Sequence, residues 1–444
     1  MAEPVFYSAF FLTFRSFADP VDIADLLISR FDWSLACRDN DATWDVTHGK
    51  PIRLRVYNVL KNWLEVHWRP DEDVVALDTI NKFAVGQLLR TLPQAGLRLS
   101  GLVESCTTTN AAGRDGANMT RHPVAPTRQA SATELMPNAI ITKTQLSSLH
   151  AFAKSGTAEA GNDHDCSVVD FDDLEMARQL TLLDSRLFCA ITPVELVGQE
   201  FSKKPGTSRA VNMKAMSTAS TDLAGWVADS ILWETEQKKR TAVLKQWIKI
   251  GDRCAALNNY NTLMAIMCAL NSSTIARLKR TWDGLPRQQK NQLEHLRSIT
   301  DHQRNYAVYR ARIKQSQLPC LPYLGLYRTD LTFIDEGNPS HRPSKESDRL
   351  LINFDKHIKT ARIVSELQQF QIPYSFQEIP ELSAWIMSSC LRMRKSATDL
   401  SGNLWRRSLI IEPKMPTVMK REPSVASSVE SESKTNKFSF MSNW

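Results

Sequence analysis

Apolar residues recur at intervals of three and four through most of this chain, while alternating runs of β-branched residues are nearly absent. No other feature constrains the fold as strongly. A helix turns once every 3.6 residues, so this spacing lays the apolar side chains along one stripe that must be covered. In the first hundred residues it appears in VDIADLLISRF (Val21, Ile23, Leu26, Leu27, Phe31). It appears again in IRLRVYNVLKNWLEVHW (Leu54, Val56, Tyr57, Leu60, Trp63, Leu64, His67). Pro20 and Pro51 stand near the starts of these helices, where a missing N–H costs little. Pro70 marks the end of the second. The predicted fold is all-α, in two helical domains, the larger a helical bundle.

The chain's 444 residues exceed one ordinary core. Residues 1–100 form a first dense block. Residues 101–165 change character: Ser, Thr, Ala, Gly and Asn dominate, and large apolar residues are few. Such a stretch buries too little surface to offset its ordering entropy, so a disordered linker is expected. Residues 166–413 are dense and helical again. FDDLEMARQLTLLD places Leu174, Ala177, Leu180 and Leu183 on one face. TDLAGWVADSIL does the same with Leu223, Trp226, Val227 and Ile231, and Thr221 or Asp222 is the expected N-cap. TAVLKQWIKIGDRCAAL presents Val243, Leu244, Trp247 and Ile248. NTLMAIMCAL is apolar nearly all round, which places it in the middle of the bundle. LPRQQKNQLEHLRSI has Pro286 at a first turn. LINFDKHIKTARIVSELQQF carries Leu351, Phe354, Ile358, Ala361, Val364 and Leu367. Residues 414–444, rich in Lys, Ser and Glu, read as a disordered tail.

Common enzyme signatures are missing. Net charge is +7, and no basic stripe with interleaved aromatics suggests nucleic acid. No apolar run approaches the length of a membrane span. The start, MAEPVFYSAFFLTF, lacks a basic n-region and a clear cleavage site, so a signal peptide is not expected. The eight cysteines are scattered with no CxxC pair, as expected of reduced, mostly buried thiols in the cytosol. There is no GxxxxGK[ST] loop, GxGxxG, HExxH or GxSxG. His295 and His302 could share a helix face but lack a third ligand at metal spacing. No cofactor or metal is expected, and a catalyst of this composition would act by binding.

Several long strings point to one family. They are ARQLTLLDSRLFCAITPVELVGQEF (177–201), LNNYNTLMAIMCALNSSTIARLKRTW (257–282) and LPCLPYLGLYRTDLTFIDEGNP (318–339), followed by LINFDKHIKTARIVSELQQFQ (351–371) and SLIIEP (408–413). In that order they resemble the catalytic domain of Ras-family guanine nucleotide exchange factors of the son-of-sevenless type, over nearly all of 170–413. Residues 6–92, through FFLTFRSFADPVDIADLLISRF and IRLRVYNVLKNWLEVHW, resemble the companion Ras exchange motif. The resemblance starts partway into the expected first helix, as expected of a fragment or a truncated gene model.

The resemblance implies a helical hairpin that projects from the bundle and inserts between the two switch regions of a small GTPase. TDLTFIDEGNP (329–339) then forms the end of its first helix. By resemblance, Glu336 engages the P-loop side of the GTPase, and Thr332, one turn earlier, faces the Mg²⁺ site. Thr332 is smaller than the leucine of some relatives. Gly337 is expected as the C-cap, with Pro339 preventing continuation. Asn271 is implied to contact switch II, beside an exposed Met264, with Ser272 and Ser273 following. From the residues alone, Asn271–Ser273 read equally as local helix caps. Ala276 stands where some relatives carry an aromatic contact. Arg277 is either a structural ion-pair member or an interface residue, and Leu278 is core. Tyr327, Thr329, Asp335 and Asn338 complete the implied GTPase-binding set.

The partner implied is a Ras-family GTPase, preferred nucleotide-free, with a monomeric exchange factor reaching the membrane only through its lipidated partner. An exchange factor for a Rap-like GTPase and a non-catalytic GTPase-binding scaffold are the alternatives. A GTPase-activating protein would need an arginine finger, for which Arg328 is the nearest residue.

Overall fold

A computed structural model describes residues 4–38, 42–112, 138–155, 166–204, 206–344, 346, 348–395 and 399–413. The chain divides into two compact units. One comprises Met1–Glu134, Val197–Gln199 and Leu331–Val364; the other comprises Leu135–Leu196, Glu200–Asp330 and Ser365–Trp444. The described residues are overwhelmingly helical, with a single two-stranded antiparallel sheet among them.

The first unit contains α1 (Pro4–Thr13), α2 (Pro20–Arg38), α3 (Lys50–Val66), α4 (Leu77–Phe83) and α5 (Pro93–Ala112). Its core is aromatic: Phe11, Phe14, Phe31 and Trp63 are buried with Leu60, Ile80, Leu88 and Leu99. The Phe14 ring meets Trp63 edge-on at 5.3 Å, and Phe31 meets Phe83 at 5.0 Å. Offset and edge-on pairs of this kind add to plain area burial. At the centre of this apolar mass lies a carboxylate. Asp73 accepts from Arg15 Nε at 2.7 Å and Nη2 at 2.5 Å, from Trp63 Nε1 at 2.9 Å and from the Arg69 amide at 2.9 Å. Arg15 also donates to the carbonyls of Phe11 and His67. The buried pair is thus satisfied on both sides. Burial, with Arg15 nearby, lowers the Arg69 guanidinium to about 10.

The second unit contains α6 (Lys143–Ser155), α7 (Asp173–Cys189), α8 (Val211–Trp233), α9 (Gln237–Ala256), α10 (Tyr260–Asn271), α11 (Arg287–Thr300) and α12 (Gln303–Gln315). Beyond them, α13 (Leu324–Gly337) and α14 (Phe354–Gln369) each run from one unit into the other, and α15 (Pro380–Lys395) and α16 (Leu400–Ile411) close the described chain. As its all-round apolar character predicts, α10 is the central helix: Leu263, Ile266 and Leu270 are fully buried. It packs against α8 and α9. Trp226 lies edge-on to Trp247 at 5.1 Å and to Trp385 at 5.2 Å, joining α8, α9 and α15.

Three expectations change. Thr221 and Asp222 do not cap a helix, because α8 begins ten residues earlier, at Val211. The segment VNMKAMSTAS carries Met213 and Met216 into the core and so joins the same helix. Thr221 Oγ1 donates back to the Ser217 carbonyl, and buried Asp222 accepts from Arg394 Nη2 at 2.6 Å. Second, the stretch 101–165 includes ordered helix. α5 continues to Ala112, with Val103 and Cys106 buried, and α6 buries Leu149. Single apolar residues at the right spacing suffice where a neighbouring core receives them. Residues 113–137 and 156–165, like the expected tail at 414–444, lie outside the described residues. Third, His295 lies on α11 while His302 precedes α12, so they share no helix. No described helix is long and apolar enough to cross a membrane.

Candidate functional site

The last turns of α13 have two faces, and the helix period decides which residue joins which. On one face Leu331 is buried. Asp335 is held by Lys356 of α14, whose Nζ donates to the Asp335 carbonyl at 3.0 Å and lies 3.5 Å from its carboxylate. Burial pushes the Asp335 carboxyl up, and Lys356 opposes that shift. Asn338 donates to the Ile334 carbonyl at 2.9 Å and accepts from Lys359 at 2.9 Å. Asn353 then secures the return of the chain: its side chain donates to the Pro339 carbonyl at 2.8 Å and its amide to the Ser340 carbonyl at 2.9 Å. Between these points β1 (His341–Pro343) pairs with β2 (Leu350–Ile352), His341 opposite Ile352. On the other face, Phe333 and Glu336 are exposed and Thr332 is half-buried. Among the described residues the Glu336 carboxylate has no hydrogen-bonding or ion-pairing partner.

Gly337 is the final residue of α13, and its backbone is not left-handed. The expected glycine C-cap is replaced by side chains: Asn338 and Lys356 take the carbonyls that the helix end leaves open. Within the same unit α1 reaches this segment. The Phe6 ring lies 4.7 Å from Phe354, and Phe17 lies 4.8 Å from the His357 ring.

The other expected site residues sort by burial. Thr329 is exposed, its hydroxyl donating to the Gly325 carbonyl. Tyr327 is buried, and its phenol donates to Glu366 at 2.8 Å. Burial raises that phenol far above its ordinary value, and at 5% exposure the ring packs chiefly inside its own unit. In the second unit, Asn271 and Ser273 are exposed at the end of α10, and Ser272 donates its hydroxyl to the Ala269 carbonyl. Met264 is only 8% exposed and belongs to the core, so the exposed methionine expected there is absent. Cys268, one turn later, is exposed instead. Arg277 resolves in favour of structure: it donates to the carbonyls of Ser408 and Glu412, and its guanidinium lies 5.7 Å over the Trp405 ring. Leu278 is core, as expected. Asp335 and Asn338 are tied within their own hairpin.

No sequence signal pointed to the residue that seats α10. Asp184 of α7 is buried and accepts from Asn261 Nδ2 at 3.0 Å and Thr262 Oγ1 at 2.7 Å, while Asn259 caps the helix through the Thr262 amide at 3.0 Å. Burial pushes the Asp184 carboxyl up, against the pull of these donors. A carboxyl raised in the folded state adds stability below its unfolded value and loses it as pH rises through the folded one. The amide of Asp184→Asn can accept the same two bonds and does not titrate. The wild type should therefore gain stability over Asp184→Asn as pH falls from 7 to 4. Melting curves at both pH values check this; a difference independent of pH would contradict it.

Comparison with known proteins places these features in a family. Residues 175–358 match the RasGEF domain, and residues 1–83 match the RasGEF N-terminal motif. The chain belongs to the RasGEF family. The domain match contains α7 to α13 and the start of α14; the motif match contains α1 to α4. Ras guanine nucleotide exchange factor A of Dictyostelium discoideum is 30% identical over 415 residues, covering 92% of this chain and 62% of that protein. Cell division control protein 25 of Candida albicans is 30% identical over 86% of this chain and 27% of its own length. Ras guanine nucleotide exchange factor Y of Dictyostelium discoideum is 37% identical over 55% of this chain and 16% of its own length. The chain thus spans less than two thirds of these curated relatives.

Proposed function

We propose that this RasGEF chain promotes GDP release from a Ras-type small GTPase by binding, without covalent chemistry. The observation that carries the reading is Glu336. It stands exposed at the end of a helix whose opposite face is tied down, and it has no partner among the described residues. A carboxylate held in this way is a ready acceptor for charged donors brought by another molecule. In the complex, Glu336 accepts bonds from the P-loop lysine and amides that otherwise hold nucleotide phosphate. Thr332, on the same face, stands toward the Mg²⁺ position. Asn271, with Ser273, contacts switch II. The packing of Phe6 against Phe354 and of Phe17 against His357 supports a role for the N-terminal motif in holding the hairpin.

A picomolar nucleotide complex is worth roughly −16 kcal/mol, so the exchange factor must offer the emptied site comparable partners. It binds the nucleotide-free GTPase more tightly than the loaded one. Linkage then requires it to weaken nucleotide affinity by the same factor. GTP rebinding expels it. The chain acts as a monomer, needs no cofactor, and meets the membrane through its GTPase. Release of fluorescent GDP from purified Ras-type and Rap-type GTPases tests this. Acceleration on one of them is the expected result. Intrinsic rates with every GTPase, despite measurable binding, would favour a scaffold.

A further inference from the structure

Phe333 is 65% exposed, in the middle of the face that α13 leaves uncovered. It follows Thr332 and precedes Glu336 by three positions, so the three line one side of the helix. Isolated exposed apolar residues are ordinary on protein surfaces. This one differs in its setting. Around it Leu331 is buried, Asp335 is held by Lys356, and Asn338 is held by Lys359. Everything on α13 that the fold can use is already in use, and an aromatic ring remains outside beside a carboxylate that is also unused. The core period gives Phe333 no role in folding, and its ring offers apolar area whose burial against another molecule would be favourable.

We infer that Phe333 is a binding and specificity-determining residue of the exchange reaction, its ring seated against an apolar surface of the GTPase next to the groups that meet Glu336. The inference rests on the exchange reading above. The chemistry is complementary to that of its neighbour: Glu336 competes for polar and charged donors, whereas Phe333 contributes apolar area that Thr332 is too small to supply. Large side chains enclosed in well-packed pockets near the centre of an interface are where truncation costs most. The GTPase that fits best is therefore one presenting an apolar side chain, not a charge, opposite this position.

The test measures kcat/KM for GDP release with the full chain, and the affinity of the nucleotide-free complex, for wild type, Phe333→Ala, Phe333→Leu, Phe333→Lys and Glu336→Ala. Phe333→Ala should lower kcat/KM by about 30-fold and weaken the complex by a similar factor, the scale of an aromatic hot spot. Phe333→Leu should keep most of both, and Phe333→Lys should lose more than the alanine variant. Because the ring is exposed, none should shift the melting temperature, which separates binding from folding. If Phe333→Ala stays within about twofold of wild type while Glu336→Ala loses activity, Phe333 is an incidental surface residue and the exchange reading survives. If the wild type accelerates release from no GTPase, the reading itself fails and this inference with it.

Discussion

Glu336→Ala is expected to lower catalysed GDP release by about 100-fold and to leave the melting temperature unchanged. A hydrogen bond to a charged group is worth about 1.5–3 kcal/mol, and a carboxylate in a vacated phosphate position can accept more than one. The loss of about 2.7 kcal/mol is therefore the lower part of the expected range. Folding is spared because the side chain is exposed and bonds to nothing among the described residues. Glu336→Gln keeps an acceptor but not the charge, and about tenfold is expected, since charge-assisted bonds are roughly twice as strong as neutral ones. Asp335→Ala serves as a control one residue away. Its carboxylate faces Lys356 in the hairpin, so its effect should fall on stability as well as on rate. Equal activity of Glu336→Ala and wild type would refute the assignment.

Asp73→Ala destabilises the N-terminal unit by about 3–5 kcal/mol, the cost of breaking a buried pair and leaving one charge behind. The carboxylate is fully buried and takes four donors from three residues. Its removal leaves the Arg15 guanidinium with the carbonyls of Phe11 and His67 but without its buried counter-charge, and the Trp63 indole N–H without its acceptor, inside an aromatic core. The effect should appear as a lower first transition on heating and earlier proteolysis of residues before Ala112. Replacing both partners, Arg15→Met with Asp73→Leu, should recover much of the loss, because an apolar pair needs no counter-charge. If Asp73→Ala melts within a degree of wild type, the buried network contributes little.

Most helices were legible because their stripes are regular. α10 was placed correctly at the centre from its all-round apolar sequence, and Met264 was misassigned by setting that same argument aside. α6 was missed because single leucines and a phenylalanine among Ser and Ala carry too weak a period, and only the core of the second unit decides their fate. Thr221 and Asp222 read as a cap because they precede an apolar stripe, but the ten residues before them bury two methionines and extend the helix. Residue type alone cannot separate a side chain that serves the fold from one that serves a partner. Tyr327 and Arg277 were expected among the contacts and have internal partners, whereas Phe333 was not singled out and stands in solvent. Lys356 and Asp184 escaped notice because their roles exist only once distant segments meet.

The manner in which Asn353 fastens the returning chain has a mechanical meaning. Its two bonds, to the carbonyls of Pro339 and Ser340, close the base of the connection between α13 and α14. Beyond that base the strand pair reaches α14 through Arg342, which donates to Asp355 at 2.9 Å, an exposed bond worth little. Sequence and length there can drift, or be replaced by a tag or reporter, without transmitting torque to the acidic tip.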